Sequence, residues 1–523
     1  MEANLKSTNG NNVDKKKDSF FNRMLNRIEV VGNKLPDPVT IFLGFSIIVL
    51  IASSIIASGD GLSVIHPGTG ETIAVVNLLS KEQLQLILTN VVSNFQGFAP
   101  LGLVLVVMIG AGMCDKVGLM ESAIKACASK ISGKSVTLVV MILGMLANLA
   151  SDAGTILLPP LAAIAFLGVG RHPLVGLFAG YAAVTLGFSA NIIISVVDVL
   201  VASFTIPAAQ MMDASYAGNA TMNLYFMMVS TVVLAVLGTI ITEKFIAPRF
   251  GEYKGNATLD VNSDLTKDQV KGLKLAGLSL LACVGVLVAL SIGGTNSFLA
   301  DPETGELLSN TAPFMKGMVP IMALLFFIPG VVYGKVTGLI KSDKDIVSLM
   351  GKSMADMGGY IILAFAASQF LKLFELSNLG IVLSVKGAEF LKNADISGVP
   401  LIIGFIVLCC VINLFIGSAS AKWAIMAPIF VPMFMMLGYS PALTQMAFRI
   451  GDGITNPISP LFAYFPVVLA FARKYDKDAG MGTIMSNMIP FSLSFLVVWS
   501  ILLALFMVFG LPLGPGAFPG YTM

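Results

Sequence analysis

The chain has 523 residues, of which 56% are hydrophobic and only 12% charged, with a net charge of +2 and a mean hydropathy of +0.86. A soluble core cannot absorb that apolar fraction, so the composition predicts a multi-span helical membrane protein. Two scattered histidines and five cysteines without CxxC spacing exclude a His- or Cys-based metal centre and a disulfide framework.

The predicted elements begin with a polar, basic tail over residues 1–35, followed by an apolar run from Pro38 to Ser58. That run is long enough to cross a bilayer and too long for a cleavable signal, so we expect an uncleaved first span. Apolar windows predict uninterrupted spans over roughly 37–58, 97–113, 223–246, 272–291, 313–334, 357–376 and 485–510.

The distribution of Lys and Arg predicts the orientation of these spans. With a cytoplasmic N-terminus, 25 of the 32 basic residues fall in inside segments 1–35, 114–134, 171–172, 243–274, 335–356 and 471–484. Four fall in outside segments 59–96, 204–222, 292–316, 377–397 and 511–523. This positive-inside asymmetry predicts an outside C-terminus and leaves Lys372, Lys422 and Arg449 at membrane depth. Lys372 is near a helix end, where its side chain can reach the interface.

An internal repeat relates two parts of the chain. The segment ISGKSVTLVVMILGMLANL (131–149) is matched by ISGVPLIIGFIVLCCVINL (396–414) at an offset of 265. The match continues to Asn191, which recurs as Asn456 at the same offset, and the order of identities is kept over sixty residues.

Each copy of the repeat predicts a helical hairpin followed by a broken helix. An apolar stretch of about 15 residues reaches a polar cluster, at 148–155 or 413–423, and a second stretch returns; neither arm is expected to cross the bilayer alone. The following span is interrupted at 187–191 in the first copy and at 451–457 in the second. The predicted orientation brings the hairpins in from opposite sides, which makes the repeat inverted.

The expected fold is therefore an all-α polytopic membrane protein with about nine transmembrane helices and two re-entrant hairpins in an inverted repeat. The expected divisions are a cytoplasmic tail (1–35), first scaffold and dimerisation spans (36–113), a first repeat core (114–215), scaffold spans (216–376), a second repeat core (377–475) and a last span with the C-terminus (476–523). Inverted repeats with broken helices are typical of secondary transporters, whose sites lie near the bilayer midplane.

Two pairs of residues near the second hairpin are candidates for substrate binding. Arg449 and Asp452 are three apart, which places them on one helix face. Arg449 is expected to bind a substrate carboxylate and Asp452 to orient it or carry a proton, the alternative being a mutual ion pair. Lys422 beside Trp423 suits an aromatic carboxylate, the alternative being a lysine that reaches water beside a packing tryptophan.

Ion coupling has two groups of candidates. The hairpin tips and helix breaks supply oxygen ligands of the kind that Na⁺ needs, or else caps for the helix ends; these residues are Asn148, Ser151, Asp152, Ser189 and Asn191 in the first copy and Asn413, Ser418, Ser420, Thr455 and Asn456 in the second. Asp198 is a lone carboxylate among β-branched apolar residues, where burial favours the neutral form and suits a proton carrier. A passive acid facing a water-filled cavity is the alternative.

Two enzyme-like patterns are rejected. ASKISGKS (128–135) fits a loose phosphate-loop pattern, but no strand precedes it and the repeat copy ISGVP lacks the Lys and Ser. An intramembrane aspartyl protease would need a G-x-G-D sequence, and Arg449 stands where the first glycine should be in RIGDG. We therefore expect no enzymatic activity.

The segments NLASDAGTILLPPLAA, GSASAKWAIMAPIFVPMF and FRIGDGITNPISPLFAYFP resemble the p-aminobenzoyl-glutamate transporter family, AbgT, over essentially the whole chain beyond the tail. The resemblance implies a bowl-shaped homodimer in the bacterial inner membrane, with no cofactor, and substrates such as p-aminobenzoyl-glutamate or p-aminobenzoate. Some members export sulfonamides. The functional positions of the family fall here on Asp198, Ser420, Trp423, Pro441, Arg449, Asp452 and Pro460.

The resemblance leaves the direction of transport and the coupling ion open. Members of the family include importers and exporters, and either protons or sodium fit the candidate residues. The alternative function is a sodium-coupled carrier of dicarboxylates with the same architecture.

Overall fold

The computed structural model describes residues 38–58, 62–65, 70–128, 135–148, 152–253, 265–308, 311–415, 418–459, 462 and 464–522. Three of the predictions are outside this part of the chain: the 1–35 tail and the candidate residues Ser151 and Pro460. Asp152 is described only as the first residue of a helix.

The first half of the chain contains ten helices and two short strands in its described residues. They are α1 (Pro38–Ser58), β1 (Ser63–Ile65), β2 (Thr72–Ala74), α2 (Lys81–Gln96), α3 (Ala99–Lys116), α4 (Leu119–Ala128), α5 (Val136–Ala147), α6 (Asp152–Gly168), α7 (Pro173–Leu186), α8 (Val196–Gln210), α9 (Leu224–Ile241) and α10 (Ala247–Phe250). A 3₁₀ turn (Gly187–Ser189) follows α7, and a π-helical turn (Thr242–Ile246) follows α9.

The described residues of the second half contain eleven helices and no strand. They are α11 (Lys267–Ser291), α12 (Pro313–Lys316), α13 (Met318–Val336), α14 (Asp343–Asp356), α15 (Gly358–Leu376), α16 (Leu379–Asn393), α17 (Gly398–Asn413), α18 (Ala419–Met436), α19 (Pro441–Thr455), α20 (Phe465–Tyr475) and α21 (Met481–Val508). Two 3₁₀ turns accompany them, at Gly294–Asn296 and Asn456–Ile458.

Helix starts follow ordinary capping chemistry. Helix α11 begins with a capping box, in which the Thr266 hydroxyl accepts from Gln269 N and the Gln269 side chain accepts from Thr266 N. Proline stands at the first position of both α7 and α19, where its missing N–H has no intrahelical partner to lose.

Helices α1, α3, α9, α11, α13, α15 and α21 correspond to the seven predicted uninterrupted spans. Eight helices of the described chain are long and apolar enough to cross a membrane, which confirms the all-α membrane class. One of the eight is Ala419–Met436. That helix is the second arm of the second predicted hairpin, and at 18 residues it is longer than the predicted stretch of about 15.

Both predicted hairpins are present as pairs of helices separated by only a few residues. In the first, a Cβ placed on Gly154 would lie 2.1 Å from the Ala147 carbonyl oxygen, so only glycine allows α6 to approach the end of α5 this closely. In the second, the ammonium of Lys422 on α18 donates to the Asn413 side chain at the end of α17. Each hairpin thus closes on itself next to its tip.

The first arm of each hairpin packs on the helix that follows that hairpin. Gly144 of α5 meets Ala183 of α7, where an added Cβ would lie 2.3 Å from the alanine methyl. Gly451 of α19 meets α17, where an added Cβ would lie 2.4 Å from the Cβ of Cys409. The same packing relation therefore occurs in both copies of the repeat.

The two broken helices differ from each other. The first is interrupted as predicted, because α7 ends at Leu186, a 3₁₀ turn follows, and α8 begins only at Val196. The second was predicted to break within 451–457, and α19 does end there, at Thr455, followed by a 3₁₀ turn. The helix nevertheless continues through Gly451 and Gly453, which serve close packing: Gly453 lies against the Leu186 carbonyl of the first broken helix.

Contacts between the segments that connect the helices form two groups. Ser440 N donates to Pro519 O at 2.8 Å, which joins the start of α19 to the C-terminal segment. Asn378 donates to Ala74 O at 2.9 Å, which joins β2 to the start of α16. Ala74, Asn378 and Pro519 belong to segments that the distribution of Lys and Arg assigns to the outside, and Ser440 follows the hairpin predicted to enter from that side.

The second group of contacts joins segments that the distribution of Lys and Arg assigns to the inside. His172 packs against Phe250 and Tyr253, with ring centroids 5.2 and 5.1 Å away, and Tyr253 packs edge-on against Tyr475. These residues come from segments 171–172, 243–274 and 471–484. The pairing of segments agrees with the predicted alternation of spans.

Candidate functional site

One face of α19 carries three buried polar side chains, Gln445, Arg449 and Asp452, at the i, i+4, i+7 spacing of a single helix face. Arg449 Nη1 donates to Asp198 Oδ1 of α8 at 2.5 Å. Seven residues after Asp198, Thr205 bonds Gln445, which precedes Arg449 by four. Helices α8 and α19 therefore run antiparallel with their polar faces together.

The pairing of Arg449 corrects two expectations. Arg449 and Asp452 share a helix face, but they do not pair with each other, because each has a partner on another helix. Asp198 is not a lone carboxylate: Oδ1 pairs with Arg449, and Oδ2 accepts from Ser195 N at 2.5 Å and Ser195 Oγ at 2.8 Å. The helix start at Ser195 holds this carboxylate in place.

The Arg449 guanidinium is only partly used by this pair. The side chain is 1% exposed, and its Nε and Nη2 have no hydrogen-bond partner among the described residues. Buried donors without partners are rare and costly. An Nε–Nη2 edge is also the geometry that receives a carboxylate through two parallel bonds. The guanidinium thus has two donors left beside its pair with Asp198.

The second ion pair joins Lys422 of α18 to Asp452 of α19. Lys422 is 1% exposed and also donates to the Asn413 side-chain oxygen. The alternative in which this lysine reaches water through a vestibule is therefore wrong. Its ammonium is held inside the protein by a carboxylate and an amide.

Asn413 connects the second hairpin tip to the end of α19. Its amide nitrogen donates to Asp452 O at 2.7 Å, to Thr455 Oγ1 at 2.8 Å and to Asn456 Oδ1 at 2.9 Å. The second set of predicted sodium ligands is therefore brought together in part, but its oxygens already accept hydrogen bonds within the protein. The Lys422 ammonium occupies the cation position beside Asp452, so the residues present do not fit a sodium ion here.

The first tip shows no comparable convergence in its described residues. The Asn148 amide donates back to its own helix, to Met145 O at 3.2 Å. Asn191, with its amide turned to donate, reaches the same carbonyl at 2.9 Å. Ser189 is buried in the 3₁₀ turn with no hydrogen bond to either. Among the described residues, no cluster of three or more His, Cys, Asp or Glu side chains offers a metal site.

Trp423 is fully buried one residue after Lys422. Its ring stacks on Phe448, with centroids 4.4 Å apart and an angle of 24° between planes, and its Nε1 donates to Thr205 Oγ1 at 2.8 Å. Phe448 is on α19 with Arg449, and Thr205 is on α8 with Asp198, so the indole and the Asp198–Arg449 pair contact the same two helices. An aromatic ring beside a cation is the arrangement predicted for an aromatic carboxylate.

The remaining candidates have local structural roles in this arrangement. Ser418 caps α18 by accepting from Ala421 N at 3.3 Å, which is the capping alternative, and it also bonds Ser420 at 3.2 Å. Pro441 is the first residue of α19. Lys372, the third basic residue left at membrane depth, pairs with Glu375 at 2.9 Å near the end of α15.

Three residues of this region were missed by the sequence analysis: Thr205, Asn223 and Gln445. Each is buried and forms hydrogen bonds to another element. The available signal was the spacing of Gln445, which precedes Arg449 by one helical turn and so shares its face.

The charges of the four ionisable residues of the site cancel one another. Asp198, Lys422, Arg449 and Asp452 are each at most 2% exposed and form two ion pairs. A site of this kind is closed to water in this conformation and carries no net charge when all four groups are ionised. An anion that enters must therefore be accompanied by a change in this balance.

Comparison with known proteins gives consistent matches along nearly the whole chain. The model of the AbgT putative transporter family matches residues 23–521. The p-aminobenzoyl-glutamate transport protein of Escherichia coli (strain K12) is 39% identical over 492 residues, which are 94% of this chain and 96% of that protein.

Two solved structures are similar as well. The YdaH transporter of Alcanivorax borkumensis, described as having an unusual topology, superposes with a TM-score of 0.87 at 39% identity, covering 92% of this chain and all of that one. MtrF of Neisseria gonorrhoeae, described with a class of antimetabolite efflux pumps, gives a TM-score of 0.88 at 41% identity, covering 95% and 100%. These relatives are transporters and not enzymes. The chain belongs to the AbgT family and is a membrane-integral transporter of a small molecule.

Proposed function

We propose that the protein is a secondary active transporter of aromatic carboxylates of the p-aminobenzoyl-glutamate and p-aminobenzoate type. The observation that carries this proposal is the pair of unpartnered donors, Nε and Nη2, of the buried Arg449, on the helix whose Phe448 stacks against Trp423. A carboxylate is the group that completes the guanidinium, and an aromatic ring is the group that packs against an indole. The printed name of the Escherichia coli relative, a p-aminobenzoyl-glutamate transport protein, supports the same class.

The charges of the site also suit an anionic substrate. Arg449 and Lys422 are the two buried cations, each held by one aspartate. A substrate with two carboxylates, such as p-aminobenzoyl-glutamate, matches two cations, whereas p-aminobenzoate needs only one. Sulfonamide antimetabolites resemble p-aminobenzoate in shape, so the same site serves their export.

We propose that protons drive transport through Asp198. A substrate carboxylate on the Nε–Nη2 edge beside Asp198 would place two ionised carboxylates on one buried guanidinium and leave one negative charge without a cation, which costs several kcal/mol. Protonation of Asp198 removes that cost and keeps the site neutral. Sodium is not required at the second tip, because Lys422 already supplies a cation beside Asp452. No organic cofactor takes part in this scheme.

The membrane arrangement is proposed from the distribution of basic residues and the two groups of end contacts. The protein lies in the bacterial inner membrane with a cytoplasmic N-terminus, and the two repeat copies are inverted. The hairpins then enter from opposite sides and meet near the midplane, where broken helices are sheltered by protein. We further propose a homodimer in which each protomer has its own pathway.

Flux measurements in proteoliposomes test this function. Arg449→Ala and Trp423→Ala should insert normally and lose transport of labelled p-aminobenzoate in both directions, with Lys372→Ala, at a solvent-exposed ion pair, as the matched control. The site assignment is wrong if both site variants transport at the wild-type rate. Imposed proton and sodium gradients of either sign establish the driving ion and the direction. Competition by succinate in place of p-aminobenzoate would instead favour a dicarboxylate carrier.

A further inference from the structure

A chain of buried hydrogen bonds runs from the indole of the site to the first turn of α19. Trp423 Nε1 donates to Thr205 Oγ1 at 2.8 Å, and Thr205 Oγ1 donates to Gln445 Oε1 at 2.6 Å. Gln445 Nε2 donates to Asn223 Oδ1 at 2.6 Å, and Asn223 Nδ2 donates to Ala442 O at 2.8 Å. Its four side chains are at most 1% exposed.

The two ends of this hydrogen-bond chain fix the direction of every bond in it. A backbone carbonyl only accepts, so the Asn223 nitrogen faces Ala442 and its oxygen accepts from Gln445. The Gln445 oxygen therefore faces Thr205. An indole N–H only donates, so the Thr205 hydroxyl accepts from it and gives its own proton to Gln445, in preference to Val201 O at 3.1 Å. Bonds aligned in this way polarise and strengthen one another.

Stacking alone does not fix the position of the indole. A ring stacked on Phe448 can still slide and turn within its plane, because dispersion between parallel rings has little directionality. The bond from Nε1 to Thr205 removes that freedom. Gln445 in turn holds the Thr205 hydroxyl, and Asn223, the residue before α9, ties Gln445 to the scaffold.

We infer that Thr205 and Gln445 are positioning residues that set how Trp423 receives the aromatic ring of the substrate. This inference rests on the proposed function, since it takes the indole as a substrate contact. Helices α8 and α19 then have two roles, because they carry the Asp198–Arg449 pair and also fix the position of the indole. Specificity for aromatic over aliphatic carboxylates then depends on two polar residues that need not touch the substrate.

The protein offers a matched control for this inference elsewhere in the fold. The other tryptophan, Trp499, is equally buried and donates its Nε1 to Ser230 Oγ, also at 2.8 Å. Ser230→Ala removes the same kind of bond, here between Trp499 of α21 and Ser230 of α9. Any general cost of losing a buried indole bond will appear in this variant as well.

The first measurement is the concentration dependence of p-aminobenzoate transport in proteoliposomes. Thr205→Val keeps the shape of the side chain and removes its hydroxyl, so we expect KM to rise about tenfold and kcat to stay within about twofold. Thr205→Ser should restore KM, Gln445→Met should raise it about three- to tenfold, and Ser230→Ala should leave it unchanged. If Thr205→Val does not accumulate in the membrane, Gln445→Met carries the same test.

The second measurement is the fluorescence of Trp423 alone. The chain has two tryptophans, so a Trp499→Phe background leaves Trp423 as the single emitter. Adding Thr205→Val should shift its emission and weaken its quenching by p-aminobenzoate, and Thr205→Ser should restore both signals. Wild-type KM in both Thr205→Val and Gln445→Met, or an equal rise in Ser230→Ala, would overturn the inference. Wild-type transport by Trp423→Ala would instead overturn the proposed function beneath it.

Discussion

Replacing Asp198 by asparagine is the sharpest test of proton coupling. The carboxylate has two tasks, because Oδ1 pairs with Arg449 while Oδ2 accepts two bonds from Ser195. Asparagine keeps an oxygen for Ser195 and turns an amide nitrogen toward the guanidinium, where donor meets donor. Asp198→Asn therefore releases Arg449 without leaving a buried anion, and it imitates the protonated carboxyl.

The expected magnitude follows from proton linkage. If binding of the substrate carboxylate beside Asp198 protonates Asp198, one proton is taken up per substrate. The apparent Kd then rises about tenfold for each unit of increasing pH over which this exchange holds, or about 1.4 kcal/mol per unit. In Asp198→Asn no proton is exchanged at this position, so Kd should not depend on pH. The substrate carboxylate itself stays ionised near neutral pH.

Calorimetric titration counts these protons directly. Binding of p-aminobenzoate, measured in two buffers of different protonation heat, should show an uptake of one proton in the wild type and none in Asp198→Asn. In proteoliposomes, the variant should still exchange labelled for unlabelled substrate and fail to accumulate it along a pH gradient. An equal proton count in both proteins, or no proton uptake by the wild type, refutes the reasoning.

Two further predictions concern stability. Lys422→Met leaves Asp452 buried without a cation and should destabilise the purified protein by about 3–5 kcal/mol in denaturant unfolding. The double variant Lys422→Met/Asp452→Leu should recover most of that stability but not transport, and a double variant as unstable as the single one would contradict this. Burial lowers the pKa of His172, which caps α7 by accepting from Leu174 N at 3.3 Å. The unfolded chain then binds the proton first, so stability is full above about pH 6.5 and falls as pH drops toward the folded pKa. His172→Asn keeps an acceptor and should reduce that loss in thermal unfolding at pH 5.5 relative to 7.5; parallel losses in both proteins would count against it.

The spans were predictable because a long apolar run has few alternatives to a membrane helix. The residue within 451–457 at which the second broken helix ends was not, because a glycine in a sequence can mark either a helix end or a close contact. At Gly187 it accompanies a real end of helix, since a 3₁₀ turn begins there. At Gly451 it allows α17 to approach within contact of a continuous helix. Periodicity within one segment does not distinguish these cases, because the second depends on a partner helix distant in the sequence.

The composition of the site was predictable, but its pairings were not. Intramembrane charge alone singled out Arg449 and Asp452, since such residues are costly unless they have a role. The partner of Arg449 is 251 residues away and reaches it only when α8 lies antiparallel to α19. Neutral residues such as Gln445 gave a weaker signal, because one amide in a helix can face water, protein or a ligand equally well.

The two ion pairs differ in what they join, and this difference indicates which of them a transport cycle must break. Lys422 and Asp452 both belong to the second repeat copy, so their pair can move as a unit with that half. Arg449 and Asp198 come from different copies. Any motion that separates the two halves must open this second pair, at a cost of several kcal/mol unless both charges are otherwise satisfied. A substrate carboxylate on Arg449 together with a proton on Asp198 satisfies both, so either one alone leaves the halves locked.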